Sequence, residues 1–396
     1  MTEANGKRTA RWLLGFILLL MLYGSLQPFR LRHVEFSSPL ELLTRLRWGV
    51  APLDDLIVNI LLYLPFGATL AWVLPERWSR LTRVAFATLC GFLMSLSVEV
   101  AQWFIVTRFA SLADVAMNTT GALLGCSSGL LLRESAARLG HSARLKVFAE
   151  PVAAGLLLAL VGSFLPARLP HFLPRHWPAE WQAHLAAGWP PWPPVAMQAL
   201  GWLIAAVLIR ALTRPDLIWR ALAGMAVVVL AVRFTWFAHA ASNSELIGAA
   251  LALVLWPLAA RLPPRRLLWL LGALLIVGLV YRGLTPFAFG ARTQSFHWLP
   301  FTDLISHTSS GFNLPLLFGK AFTYGALVWL PVAAGTAAMR AGLLVAALLL
   351  AIEILQLWTV GGEHVSTMTD PAIAICAGFV LMQLRPGAGA RAKSAH

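Results

Sequence analysis

The chain predicts an all-α integral membrane protein of about twelve transmembrane helices, and three observations predict it. The residues are 59% hydrophobic and only 12% charged, with a mean hydropathy of +0.72; soluble chains carry about a quarter charged residues. Apolar runs of roughly 17–22 residues, the length that a bilayer asks of a helix, recur along the whole sequence. The basic residues sit in the short connections between those runs, as topology requires.

Taken in order, the expected spans are about 12–29, 56–74, 83–105, 113–132, 148–165, 197–212, 218–238, 244–260, 267–283, 315–335, 341–359 and 370–384. Lys7, Arg8 and Arg11 precede the first run as they would in a signal peptide. No small-residue cleavage site follows, and Gln27-Pro28-Phe29 stands there instead, so the run reads as a retained helix. Counting Lys and Arg in alternate loops gives 20 on one side and 9 on the other, with Arg233 and Lys320 inside or beside spans. That bias puts both termini in the cytoplasm of a bacterial inner membrane. The long loops, about 30–54, 166–195 and 284–314, are then outside. The middle one carries Trp177, Trp181, Trp189 and Trp192 between prolines, as a lid in the interfacial aromatic belt would.

The net charge of +14 does not indicate nucleic acid, because the charges follow topology. Cys90, Cys126 and Cys376 fall in apolar runs without paired spacing and read as packing residues. His171, His176 and His184 lack metal-ligand spacing. No metal and no cofactor is expected.

The chain repeats itself. Tyr23 to Pro28-Phe29 ends the first span, and Tyr281 to Pro286-Phe287 ends the ninth at the same spacing. Pro52-x-x-Asp55-Leu-Ile-x-Asn59 is matched by Pro300-x-x-Asp303-Leu-Ile-x-His307, and Glu99-x-x-Gln102 by Glu353-x-x-Gln356. Arg108, Ser111 and Asp114 are echoed by His364, Ser366 and Asp370. A fainter central copy keeps His239-x-x-Ser242-x-x-Glu245 and Gly248. The expected organisation is parallel four-helix repeats: a unit over 1–147, a degenerate one over 148–262 with the Trp/Pro-rich loop, and a second clear one over 263–396.

These landmarks resemble the VanZ-like family, bacterial membrane proteins named after a teicoplanin-resistance protein. The resemblance is carried by Asp55, Asn59 and Pro65-Phe66-Gly67, then Glu99, Gln102, Arg108, Ser111, Asp114, Asn118 and Gly121. It covers about 12–132 well and about 267–384 less well: there His307 replaces the Asn, Thr323-Tyr324-Gly325 replaces Pro-Phe-Gly, and Ala374 replaces Asn118. It implies a cell-envelope membrane protein, linked to glycopeptide resistance or exopolysaccharide biogenesis.

A carboxylate in the hydrocarbon region costs roughly 2.5–3.5 kcal/mol, so Glu99 needs a reason. Glu99 and Gln102 share a helix face, as do Asp114 and Asn118, and Gly121, Gly125 and Gly129 continue that second face as a small-residue ladder. Asp55 and Asn59 enter from the same side. The set either locks a helix hairpin, with Arg108 neutralising Asp114 or Glu99, or binds a polar headgroup at the outer face. The second reading expects membrane lipids as partners, with a glycolipid, lipid-linked saccharide or lipoglycopeptide as ligand. No nucleophile elbow, phosphate loop or metal motif is present, which leans away from an enzyme. An outer-leaflet enzyme acting on a headgroup and a secondary transporter using Arg233 and Glu353 are the alternatives.

Overall fold

The structure is a computed structural model, and it describes residues 3–34, 41, 46, 48, 53–106, 108, 110–138, 150–164, 186, 188–236, 242–291, 295–304, 313–360 and 365–384. Twelve apolar helices account for most of these: α1 (Glu3–Leu26), α2 (Leu53–Val73), α3 (Arg80–Gln102), α4 (Leu112–Arg138), α5 (Pro151–Ser163), α6 (Trp192–Leu212), α7 (Ile218–Trp236), α8 (Asn243–Ala259), α9 (Pro264–Leu284), α10 (Leu314–Ala333), α11 (Ala338–Gln356) and α12 (Thr369–Leu384). Each falls on one of the expected runs.

The number of spans differs from the expected twelve. Among the described residues nine helices are long and apolar enough to cross a bilayer, while α5, α8 and α12 have 13, 17 and 16 residues. At about 1.5 Å per residue these three reach roughly 20–26 Å against a hydrocarbon thickness of about 30 Å. Prolines account for several ends. Pro75 follows α2, and α6 and α10 carry Pro in their first turn, where the missing N–H costs nothing. Large apolar side chains face outward from these helices: Leu81, Leu158, Val227, Val254 and Val277 are each 64–79% exposed. Water would not tolerate such a surface, and lipid tails cover it. This is a multi-pass membrane protein.

The chain divides into two compact units, Met1–Arg144 and Leu145–His396. In the first, α4 packs most extensively on α2. Their contact is made of backbone. A Cβ on Gly125 would lie 2.1 Å from the Leu64 carbonyl oxygen, one on Gly121 2.4 Å from that of Ile60, and one on Gly67 2.1 Å from that of Ala122. The expected glycine ladder thus faces α2. Tyr63, Phe66, Leu70, Ala122, Cys126 and Leu130 close the core around it. Cys126 is buried there as a small packing residue.

In the second unit α6 packs on α8, α5 on α10, and α11 on α12. A Cβ on Gly248 of α8 would meet Gln198 and the Val195 carbonyl of α6, and one on Gly342 of α11 would lie 2.9 Å from the Cα of Gly378 of α12. Trp202, Leu208, Leu222, Leu271 and Leu330 are fully buried in the core.

Candidate functional site

The first polar cluster is assembled where α1, α3 and α4 end or begin. Helix termini leave backbone groups without intrahelical partners, and this cluster supplies them. Gln102, in the last turn of α3, donates from Nε2 to the Ser25 carbonyl (2.9 Å), and Arg108 donates from Nε to Gln27 (3.0 Å) and from Nη2 to Gly24 (3.1 Å). Three carbonyls at the C-terminal end of α1 are thereby satisfied, one by an amide and two by a cation that also complements the helix dipole. Burial pulls the Arg108 guanidinium below its ordinary value, and the carboxylates of Glu99 and Asp114 oppose that pull.

Glu99 is 2% exposed and accepts the Ser111 backbone N–H on Oε2 at 2.8 Å. Ser111 in turn caps α4: its Oγ accepts from the Ala113 N–H (3.2 Å). One turn further along α4, Asn118 donates from Nδ2 to Ser95 Oγ of α3 (2.9 Å). Asn118 Oδ1 is buried and has no hydrogen-bond partner among the described residues, and the buried Tyr63 hydroxyl lies beside Ser95.

An extended edge completes the region. Residues 30–32 pair antiparallel with 104–106 through the Leu31–Ile105 bridge, with Arg32 N–H to Phe104 (2.8 Å) and Val106 N–H to Arg30 (2.9 Å). Arg32 also donates from Nε to the Trp103 carbonyl at 2.7 Å and lies over the Trp103 ring.

The structure therefore joins Glu99, Gln102, Arg108, Ser111 and Asn118 through the ends of α1, α3 and α4. Asp114 stands in the first turn of α4. Asn59 is half-buried on α2 and makes no hydrogen bond among the described residues; Asp55 opens α2, and its side chain lies outside the described residues.

The C-terminal cluster has the same frame with different contents. Glu353 Oε2 accepts the Thr367 N–H at 2.8 Å, and Thr367 Oγ1 accepts from Thr369 N–H (3.2 Å). Thr367 thus makes with Glu353 the contact that Ser111 makes with Glu99; the adjacent Ser366 is buried, and its Oγ has no partner among the described residues. Gln356 approaches the last turn of α9, with Nε2 3.0 Å from a Cβ built on Gly283. Phe289 bridges to Thr359, with Gly290 N–H to Trp358 (2.9 Å) and Val360 N–H to Ala288 (2.7 Å). Phe29 and Phe287, each closing its helix end, both have φ of 60°. His364, the expected echo of Arg108, lies outside the described residues, as do His239, His307 and most of the Trp/Pro-rich loop.

Around Asp370 the structure adds residues that sequence reasoning missed. Lys320 of α10 pairs with Asp303 Oδ2 (2.8 Å) and with Asp370 Oδ1, and Tyr324 donates its hydroxyl to Asp370 Oδ2. Thr369 donates to Asp303 and accepts the Phe301 N–H at 2.7 Å. A lone lysine in the apolar run Leu314–Ala333 was the available signal. Arg233, by contrast, is bound at a helix end: it donates to the Phe164 carbonyl (2.8 Å) and pairs with Glu245 (3.4 Å), which forms a capping box with Ser242. Among the described residues no group of His, Cys, Asp and Glu has the geometry of a metal site.

Comparison with known proteins agrees with this geometry in one place. No curated protein and no solved structure matches the chain. The VanZ/LLP1 family model matches residues 10–133, a stretch that includes all of α2 and α3, most of α1 and α4, and every member of the first cluster. Residues 10–133 are VanZ-like.

Proposed function

We propose that the protein works in the bacterial cytoplasmic membrane, with both termini in the cytoplasm, and binds the polar part of an amphiphile at the outward end of its first unit. A glycolipid, a lipid-linked saccharide or a lipoglycopeptide fits that description. One observation carries the reading: beside the buried Glu99, the Asn118 carbonyl oxygen retains hydrogen-bonding capacity that the protein leaves unused among the described residues. Buried polar groups ordinarily find partners, and sugar hydroxyls or amines have the matching chemistry.

The repeat belongs to the same reading. The paired glutamate-to-amide bonds at Glu99 and Glu353, the two bridged edges and the close approach of Gly248 to α6, like that of Gly121 to α2, support three parallel four-helix copies. The deciding experiment expresses the chain in a susceptible host and compares tolerance to a lipidated glycopeptide with tolerance to an unlipidated one. Selective tolerance, lost in the E99Q/N118A variant at equal membrane expression, is expected. A host no more tolerant than the empty-vector control would sink the reading.

A secondary transporter is the alternative that the second unit favours, because Lys320, Asp303, Asp370 and Tyr324 form an ionisable network within the membrane region. Proteoliposome uptake independent of any ion gradient would count against it.

A further inference from the structure

Two segments of the first unit that are far apart in sequence meet in the edge at 30–32 and 104–106, and the edge is cationic. Arg30 and Arg32 lie two residues apart in extended backbone, hence on one face. Arg108 follows the partner segment by two residues. Arg32 and Arg108 are both held through Nε, on the Trp103 and Gln27 carbonyls, and that fixation leaves Arg32 both of its terminal nitrogens among the described residues. A guanidinium anchored this way presents a preorganised fork whose geometry matches phosphate oxygens. Arg30 is exposed. Apolar side chains flank the arginines: Leu31 is 79% exposed, Val106 50% and Phe29 43%. Basic residues are depleted on the outer side of membrane proteins; the carboxylates of Glu99 and Asp114 act on Arg108, and three arginines against those two leave the group with a positive excess.

We infer that the Arg30–Arg32 edge, backed by Arg108, docks the phosphate of an anionic lipid headgroup, with Val106, opposite Arg30 in the pairing, against the start of its acyl chains. The inference rests on the outward placement proposed above and gives that site's ligand a charge.

The test uses the full chain in neutral detergent and native mass spectrometry. The probes are dioleoyl phosphatidic acid and dioleoyl phosphatidylcholine, offered together at low ionic strength. The wild type retains phosphatidic acid preferentially, and each arginine is worth about fivefold in that preference. R30Q, which alters a side chain that makes none of the hydrogen bonds described above, lowers the preference, and R30Q/R32Q lowers it further. R77Q, an exposed arginine at the opposite end of α2, leaves it unchanged. Equal retention of the two lipids by the wild type, or full preference in both edge variants, overturns the inference. Displacement of the lipid by an equimolar amount of inorganic phosphate overturns it too, because the site would then be one for free phosphate. These outcomes separate from those of the tolerance assay. Selective tolerance without phosphatidic acid preference defeats the docking alone, and preference without tolerance defeats the amphiphile reading alone.

Discussion

The two units bring helices together by opposite means. In the first, α4 meets α2 through glycines set against backbone carbonyls. In the second, α12 meets α10 through Lys320, Asp370 and Tyr324. Gly67 of α2 faces Ala122 of α4, whereas Gly325 of α10 faces Leu156 of α5 rather than α12. The lesson concerns cost. Backbone contact between small residues needs no compensation in a bilayer, whereas a buried ion pair holds only while both signs are present.

Breaking the second unit therefore carries the largest expected effect. K320M leaves Asp303 and Asp370 without their cation and lowers stability by about 3–5 kcal/mol. The triple variant K320M/D303N/D370N returns most of that loss. Denaturation in mixed micelles measures both, and a triple variant as unstable as K320M would show that packing, not charge, was removed. In the first unit G125A drives a Cβ toward the Leu64 carbonyl and costs about 1–3 kcal/mol. G224A, where nothing lies within 4 Å, is the matched control and leaves the unfolding midpoint in place. The clusters themselves give a smaller contrast. E99A strands the Ser111 N–H and costs about 1–3 kcal/mol, while E99Q retains an acceptor and costs less. The smallest effect is one of pH. Glu76, between α2 and α3, accepts from Arg133 and lies 3.5 Å from Lys7, and Arg133 holds its carboxyl below the ordinary value. Its contribution is present above the ordinary carboxylate range and is lost as pH falls through the depressed value. The difference in melting temperature between wild type and E76Q should be small at neutral pH and vanish in acid; a difference that persists there would refute the pairing.

Much of this was legible because apolar length and turn chemistry are local properties. The helix positions, the glycine face of α4 and the Glu99–Gln102 pair all follow from spacing along one helix. What was not legible depends on contacts between helices. Nothing in the spacing of Ser366 and Thr367 tells which N–H reaches Glu353, because the stretch from the glutamate to that N–H is two residues longer than at Glu99: Thr367 lies 14 positions after Glu353, and Ser111 lies 12 after Glu99. Lys320 entered the reading only as a charge to be counted, since its partners come from a 3-10 turn and from α12. The central Ser242-x-x-Glu245 motif, read as an echo of Ser111-x-x-Asp114, is also a capping box. Helix starts favour that pattern whatever their ancestry.

The glycine contact between α2 and α4 has a mechanical consequence. Gly121, Gly125 and Gly129 advance by four along α4 while Ile60, Leu64 and Ala68 advance by four along α2, so the helices run parallel with their i±4 ridges interlocked. Such ridges cross obliquely. A Cβ would be most crowded at Gly125 and, from the other helix, at Gly67, 2.1 Å from a carbonyl oxygen in each case, against 2.4 Å at Gly121 and 3.0 Å at Gly129. Helices that cross at a point touch there and diverge on either side, so the crossing is a fulcrum. Asn59 and Asn118 lie on the two arms beyond it, and a small rotation at Gly125 is magnified into a change of gap at the polar end.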